Sequence, residues 1–427
     1  MKAGFGKVCI TPPVGSLMYG FAPRDLKGAT AIHDDLFVRA LYTEHGRQRV
    51  LFVSYDLLFF NRGHADRYKG ALGRAFDLAP RQILLNTTHT HLGPMLGLGQ
   101  WVHADFLEPD RLYLDLLERA TLAAARQAVE SAREVTLWAG KTRTSLPMNR
   151  RKPDEHGRTQ WAPNPDGMIY DALPFCLFRD RAGRAAGLLF SVSCHPSTLN
   201  CNEISADYPG VAMNLLDKHL GGTCSLFLQG VAGETKPSVS VKNGRFAGDW
   251  AAVEAGGQMV ADAVIAALGG SLVEIEPEIR TRLVDVEFPL DPPPSRAGYE
   301  AIASDAKESP DRQRWAQRQI ARLDRGETLR TTQPILFQGV QLGKGLRLIA
   351  IEAEVLAPFG PMIEKFFGDG VTFPLGYSNG TAVYLPTSHM IEHEGGYEVE
   401  SAWEYGLPSG LALGVEDVLQ NGLKKLL

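Results

Sequence analysis

Two continuously apolar runs separated by one helix-like segment constrain this chain more than any other feature. "RVLFVSYDLLF" (49–59) and "RQILLNTT" (81–88) read as buried strands, being short, apolar and partly β-branched. Between them "NRGHADRYKGALGRAFDL" reads as a helix. Strand, helix and strand in that order make a β-α-β unit. The pattern recurs along the chain. "DRLYLDLLERATLAAARQAVESA" (110–132) has apolar residues spaced by three and four, as a helix requires. "VTLWAGKT", "AAGLLFSVSC" and "CSLFLQG" read as strands, and "WAAVEAGGQMVADAVIAAL" (250–268) as a further helix. "GLRLIAIEAEV" and "GVTFPLGYS" return to strand character near the end. This alternation predicts an α/β (α+β) fold with a mixed central β-sheet flanked by helices.

"EFPLDPPPS" (287–295) breaks the pattern, and the charged stretch after it, about 295–326, predicts helix on either side of Pro310. It reads as a solvated insertion or a small subdomain within one domain spanning 1–427. Bulk properties narrow the function. Apolar residues at 44% supply a substantial core, and a net charge of −5 disfavours a nucleic-acid partner, which would need a basic face. No run of about 18 apolar residues predicts a membrane span. The five scattered cysteines fit a reducing compartment, and "MKAGFGKVCITPPVG" lacks the apolar core of a secretory signal. A cytoplasmic protein acting on a small molecule is the expectation, with homo-oligomerisation left open.

The chemistry concentrates where strands end. "LLNTTHTHLGP" (84–94) closes a strand with His89 and His91, at i and i+2. If strand geometry persists, both imidazoles share one face and hold a divalent metal or an oxyanion. "GLLFSVSCHPSTL" closes another strand with His195, again before proline. Zinc takes imidazole and carboxylate ligands and, in catalytic sites, keeps a position for water. "LRLIAIEAEVLAPFG" offers Glu352 and Glu354, expected on one face of a strand. A buried carboxylate needs a partner, either a metal or an Arg or Lys.

At this point the chain resembles the catalytic domain of the neutral ceramidases, which are zinc-dependent amide hydrolases. "GFGKVCITPPVGSLMYGF" is similar to that family's opening strand and loop, and "VLFVSYDLL" to its first core strand. "THTHLGP" is similar to its Thr-His-Thr-His-Ser-Gly-Pro signature. "MNRR" is similar to its Asn-Arg turn, and "HPSTLNCNEISADYPG" to its second histidine segment. "FLQGVAGETKP" is similar to its Gly-Asp-x-Ser-Pro loop. The resemblance implies one Zn2+ held by His89, His195, Glu354 and Tyr384; Glu352, two positions away and expected to face the same way, is the fallback carboxylate. It also implies that His91, Arg150 and Tyr397 are catalytic, facing the substrate and its developing oxyanion. Zinc would polarise the carbonyl and make water nucleophilic near neutrality.

The chain departs from the family at the loop "GETKP". Glu234 stands where the family has aspartate, and Lys236 where it has a serine. Lys236 cannot act as a hydroxyl nucleophile. Lys236 and Glu234 are therefore read as substrate-binding, with Lys236 pairing with a substrate carboxylate or phosphate, or else facing solvent or Glu234. The chain ends about thirty residues after Tyr397, without a counterpart of the family's C-terminal β-sandwich. The expected function is a zinc-dependent hydrolase cleaving an N-acyl amide by attack of metal-activated water, on a polar or anionic substrate rather than ceramide. A metal-dependent esterase and a non-catalytic binding homologue are the alternatives, and manganese or iron are alternative metals.

Overall fold

The strand Gln48–Tyr55 is buried from Val50 to Tyr55, as its unbroken apolar run requires, because both of its faces are covered. The structure is a computed structural model that describes residues 1–21, 28–96 and 110–426. Gln48–Tyr55 pairs in parallel with Ile83–Thr87, and the helix Arg62–Phe76 makes the crossover. Asn61 starts that helix by accepting a hydrogen bond from the His64 amide. A second unit of the same kind joins Ala185–Val192 to Cys224–Gln229 through the helix Asp207–His219.

These two units occupy opposite ends of a nine-stranded sheet. Its middle is antiparallel and runs through Ala172–Asp180, Arg133–Arg143, Lys2–Cys9 and Phe37–His45. The sheet curls until its ends meet. The Asn86 side-chain amide donates to Gln229 O at 3.4 Å, and Gln229 N donates back to Asn86 Oδ1 at 2.8 Å. One buried side chain thus satisfies edge backbone groups that would otherwise be left unpaired. Curling also brings the C-terminal ends of the two parallel pairs side by side, each followed by a histidine loop.

Helices cover the outer face. Arg111–Glu130 buries Leu114, Leu117, Ala124 and Ala128. Trp250–Leu268 is long and apolar enough to cross a membrane by length and composition alone. Here it buries Val253, Val260, Ala261 and Val264 and packs on Asp207–His219. The inner face does not meet solvent or helices, as a single central sheet would. It packs on a second sheet of four strands, Pro277–Pro289, Thr332–Gly343, Leu346–Ile351 and Val371–Leu375. Phe52, Leu84, Leu137 and Leu226 from the first sheet share one cluster with Val340, Leu348 and Phe373 from the second. Burial of each such side chain contributes about 1.5–3 kcal/mol. The sheet-on-sheet layer fixes the third strand end, that of Leu346–Ile351, relative to the other two.

The charged stretch forms two helices, Arg296–Ser304 and Pro310–Asp324, between two antiparallel strands of the second sheet. Pro310 opens the second helix, where its missing N–H costs nothing. The pair is not merely a solvated face. Tyr299 and Trp315 are buried against each other, with Tyr299 Oη donating to Pro408 O at 2.8 Å and Trp315 Nε1 to Leu407 O at 2.9 Å. The helices therefore anchor the 401–408 segment. Trp315→Ala is expected to destabilise the fold by about 3–5 kcal/mol. Urea unfolding checks this, and a loss below about 1 kcal/mol would show the helices to be peripheral.

Candidate metal centre

His89 follows a strand that ends at Thr87, and its backbone leaves the extended region at φ 66°. Holding a non-glycine residue there costs about 1–3 kcal/mol. His89 N donates to Leu57 O at 2.9 Å, and His91 N donates to Pro196 O at 3.0 Å in the other histidine loop. Thr90 Oγ1 donates to Ser205 O at 2.8 Å. The two histidines converge because of this turn and these ties between loops, and not through strand alternation. Gly20 is required beside them, since a Cβ there would stand 2.8 Å from the His91 ring, and its φ of 111° suits glycine.

The ligand atoms of His89, His91 and His195 lie within 4.8 Å of one another, so the three could hold a metal ion. Glu354 joins them. Its Oε2 is 3.4 Å from His89 Nε2 and 3.3 Å from His195 Nε2. The tautomers follow from the outer contacts. His89 Nδ1 lies 2.8 Å from Leu58 O, and His195 Nδ1 lies 2.7 Å from Ala232 O. A carbonyl only accepts, so both Nδ1 atoms carry the proton and both Nε2 atoms present bare lone pairs. Burial keeps the rings neutral, pushing His89 down to about 3 and lowering His195 as well. Burial raises the Glu354 carboxyl, while the protonated forms of His89 and His195 and the Tyr405 hydroxyl lower it to about 2; with both rings neutral, Tyr405 is the donor left to the anion. Two lone pairs and an anionic oxygen therefore face one another inside the protein. His195 Nε2 and Glu354 Oε2 are buried with no hydrogen-bond partner. A cation is the group that such donors fit, and imidazole plus carboxylate is the donor set of zinc.

Glu354 reaches this position through its neighbours. The short strand Glu354–Val355 runs parallel to Tyr384–Leu385, with Glu354 opposite Tyr384. Tyr405 Oη donates to Glu354 Oε1 at 2.6 Å. Glu352 does not share this face, contrary to the expectation from its spacing. The chain turns after Ile351, and Glu352 accepts from Arg62 Nε at 2.7 Å, from Arg62 Nη2 and from Leu336 N. It is consumed by an ion pair.

Arg150 lies on the strand Pro147–Pro153 and not in a turn. A bulge between Asn149 and Arg151 allows two successive arginines to reach one carboxylate. Arg150 Nε donates to Glu398 Oε1 and Arg151 Nη1 to Glu398 Oε2, both at 2.7 Å. Arg150 Nη2 also donates to the Tyr384 hydroxyl at 3.1 Å. Tyr397, 37% exposed, stands at the rim with its ring 5.6 Å from Tyr384, and its hydroxyl donates to Glu404 at 3.0 Å. Tyr405, Glu398, Arg151 and Tyr377, whose ring centroid lies 4.3 Å from that of His89, are members that sequence reading missed. Glu398 adjoins the recognised Tyr397, but "SAWEYGLPSG" around Tyr405 carries no comparable signal.

The "GETKP" segment forms a short strand, Thr235–Pro237, paired with the arginine-bearing strand. Glu234 is buried, and both its oxygens accept from Ala357 N at 3.0 and 2.9 Å. Burial raises it to about 8. Lys236 is only 4% exposed and donates to Ser197 O at 2.8 Å. Burial first, then Arg150, pulls its ammonium down to about 7.

No family model matches the chain. Its fold is nevertheless that of the neutral ceramidases. The neutral ceramidase from Pseudomonas aeruginosa superposes with a TM-score of 0.76 over 99% of this chain and 73% of that one, at 18% identity. A ceramidase complexed with C2 gives 0.75, with 99% and 74% covered, also at 18% identity.

The Lys236 ammonium makes stability depend on pH. Below about pH 7 folded and unfolded chains are both protonated, and folding must bury the charge. From about 7 to 10.5 only the unfolded chain holds the proton, so stability rises with pH across that window. Lys236→Met is expected to be more stable than the parent at pH 6, by about 1–3 kcal/mol, with the advantage fading towards pH 10. Denaturation at several pH values measures this. A destabilised variant at pH 6 would contradict the reading of Lys236 as a buried cation without an ion pair among the described residues.

Proposed function

We propose that the chain is a metal-dependent hydrolase of N-acyl amides, with one zinc ion per chain. The observation that carries this reading is the convergence of His89 Nε2, His195 Nε2 and Glu354 Oε2 at 3.3–3.4 Å, their lone pairs turned inward. The fold shared with enzymes described as ceramidases supports it. His89, His195 and Glu354 would hold the ion, with Tyr384 as the fourth ligand. Metal-ligating histidines normally donate their other nitrogen to a carbonyl or carboxylate, as His89 and His195 do to Leu58 O and Ala232 O. The His91 Nδ1 has no such partner and is buried unpaired. This separates His91 from the ligands and leaves it to face the substrate. The ion, when bound, would act as a Lewis acid towards the amide carbonyl and lower the pKa of water.

The residues around it have separate tasks. His91 Nε2 points towards the ligands, 3.3 Å from His89 Nε2, and serves as a donor to the oxyanion developing on the substrate carbonyl. Such a donor contributes about 3–4 kcal/mol to the transition state. Arg150 holds the Tyr384 hydroxyl in place and carries positive charge beside it, while Glu398 fixes its plane. The Tyr397 hydroxyl donates to Glu404 and would have to leave it to donate to a substrate. Glu234 braces the backbone that follows Glu354 and has no direct task at the substrate.

The purified protein should contain one equivalent of metal and cleave N-acyl amides faster than matched esters lose their acyl group. His195→Ala should lose the metal. His91→Ala should keep it and lose about 100-fold or more in turnover. Metal analysis with a hydrolysis panel checks all three. Full metal occupancy in His195→Ala, or loss of metal in His91→Ala, would overturn the ligand assignment.

A further inference from the structure

Lys236 carries a positive charge into the interior without an ion pair among the described residues. An ammonium has three N–H donors, and here one is used, on Ser197 O. Three aromatic rings surround the rest: Trp161, Phe246 and Phe21, with centroids 5.2, 5.4 and 5.6 Å from Nζ. Rings at such distances partly offset the loss of hydration, but they do not replace an anion. The nearby carboxylate of Asp207 is already occupied, accepting from Thr198 N, Thr198 Oγ1 and Tyr208 N. Arg150 and Arg151, the other buried cations of the site, both pair with the Glu398 carboxylate, and Arg150 also donates to Tyr384. Among the described residues, Lys236 is thus the buried cation of this site that lacks a carboxylate partner.

Its position connects it to the metal centre. Phe21 packs on Lys236 and also on His91, the latter at 5.0 Å between ring centroids. Trp161, 52% exposed, forms the outer wall with Phe246, their rings 5.4 Å apart. One wall of the cage, Trp161, thus lies at the surface, and another, Phe21, touches the proposed oxyanion donor.

We propose that Lys236 and its aromatic cage form a carboxylate subsite, so that the substrates are N-acyl amides bearing a free carboxylate. The proposal rests on the amide-hydrolase reading above for the reaction, but not for the binding. One ammonium with two free donors matches a carboxylate, whose single charge it neutralises. A phosphate monoester, nearly dianionic with three acceptor oxygens, would leave charge unmet in this cage. An apolar N-acyl lipid without a charge would leave the ammonium buried and unpaired.

Calorimetry on the metal-loaded full chain tests this with two matched pairs. N-acetylglycine against N-acetylglycinamide places the carboxylate on the amine side, and succinamate against succinamide places it on the acyl side. At least one acid should bind ~10-fold or more tightly than its neutral partner. Lys236→Met should bring that ratio close to one, and Lys236→Arg should keep part of it. Ratios near one for both pairs in the parent, or a preference that survives in Lys236→Met, would overturn the subsite. Binding is read without turnover. Failure to cleave any amide, with the acid preference intact, would remove the hydrolase reading and leave the subsite standing.

Discussion

An anionic carboxylate facing two bare imidazole nitrogens cannot persist in a protein interior without a positive partner. Glu354 between His89 and His195 sets that condition, and much of the fold serves it. Each of the three groups follows a strand end in one of two packed sheets. Leu58 O and Ala232 O fix the imidazole tautomers, and Tyr405 fixes the carboxylate. Tyr405 in turn belongs to a segment held by Tyr299 and Trp315 from the two inserted helices. Removing the insertion would loosen a residue that touches Glu354, although the helices lie outside the site.

Much of this was legible in the chain. Apolar runs flanking a helical segment specify a β-α-β unit, and a buried parallel strand has little alternative to ending at a loop. His89, His91 and His195 could be placed at such ends before any geometry was known. The resemblance to the neutral ceramidases extends to the fold, which 99% coverage at a TM-score of 0.76 bears out. What was not legible depends on long-range contacts. Glu352 and Glu354 have the same spacing as neighbours on one strand face, and only the turn after Ile351 separates the ion-paired residue from the one beside the histidines. The φ of His89 cannot be read from "THTH". A bulge that turns Arg150 and Arg151 onto one carboxylate leaves no mark in "MNRR" beyond the two arginines. The second sheet was hidden for a related reason, since a strand buried by another sheet has the same apolar run as one buried by helices.

Lys236 illustrates how stability and recognition oppose each other in a buried site. A lysine under three aromatic rings raises the free energy of the folded state wherever it is charged. Its buried position would be accounted for by the proposed carboxylate ligand that completes it. The same reasoning applies to the candidate metal centre, where an uncompensated negative charge would be relieved by a cation. The two subsites have opposite charge requirements and share Phe21 and His91 as a common wall.

The central claim is that His89, His195 and Glu354 enclose one metal ion. Anomalous X-ray scattering from crystals of the zinc-loaded protein, recorded on either side of the zinc absorption edge, tests it most directly. The account predicts a single strong peak bounded by His89 Nε2, His195 Nε2 and Glu354 Oε2. A map without a peak there, or with the peak at another group of residues, would contradict it.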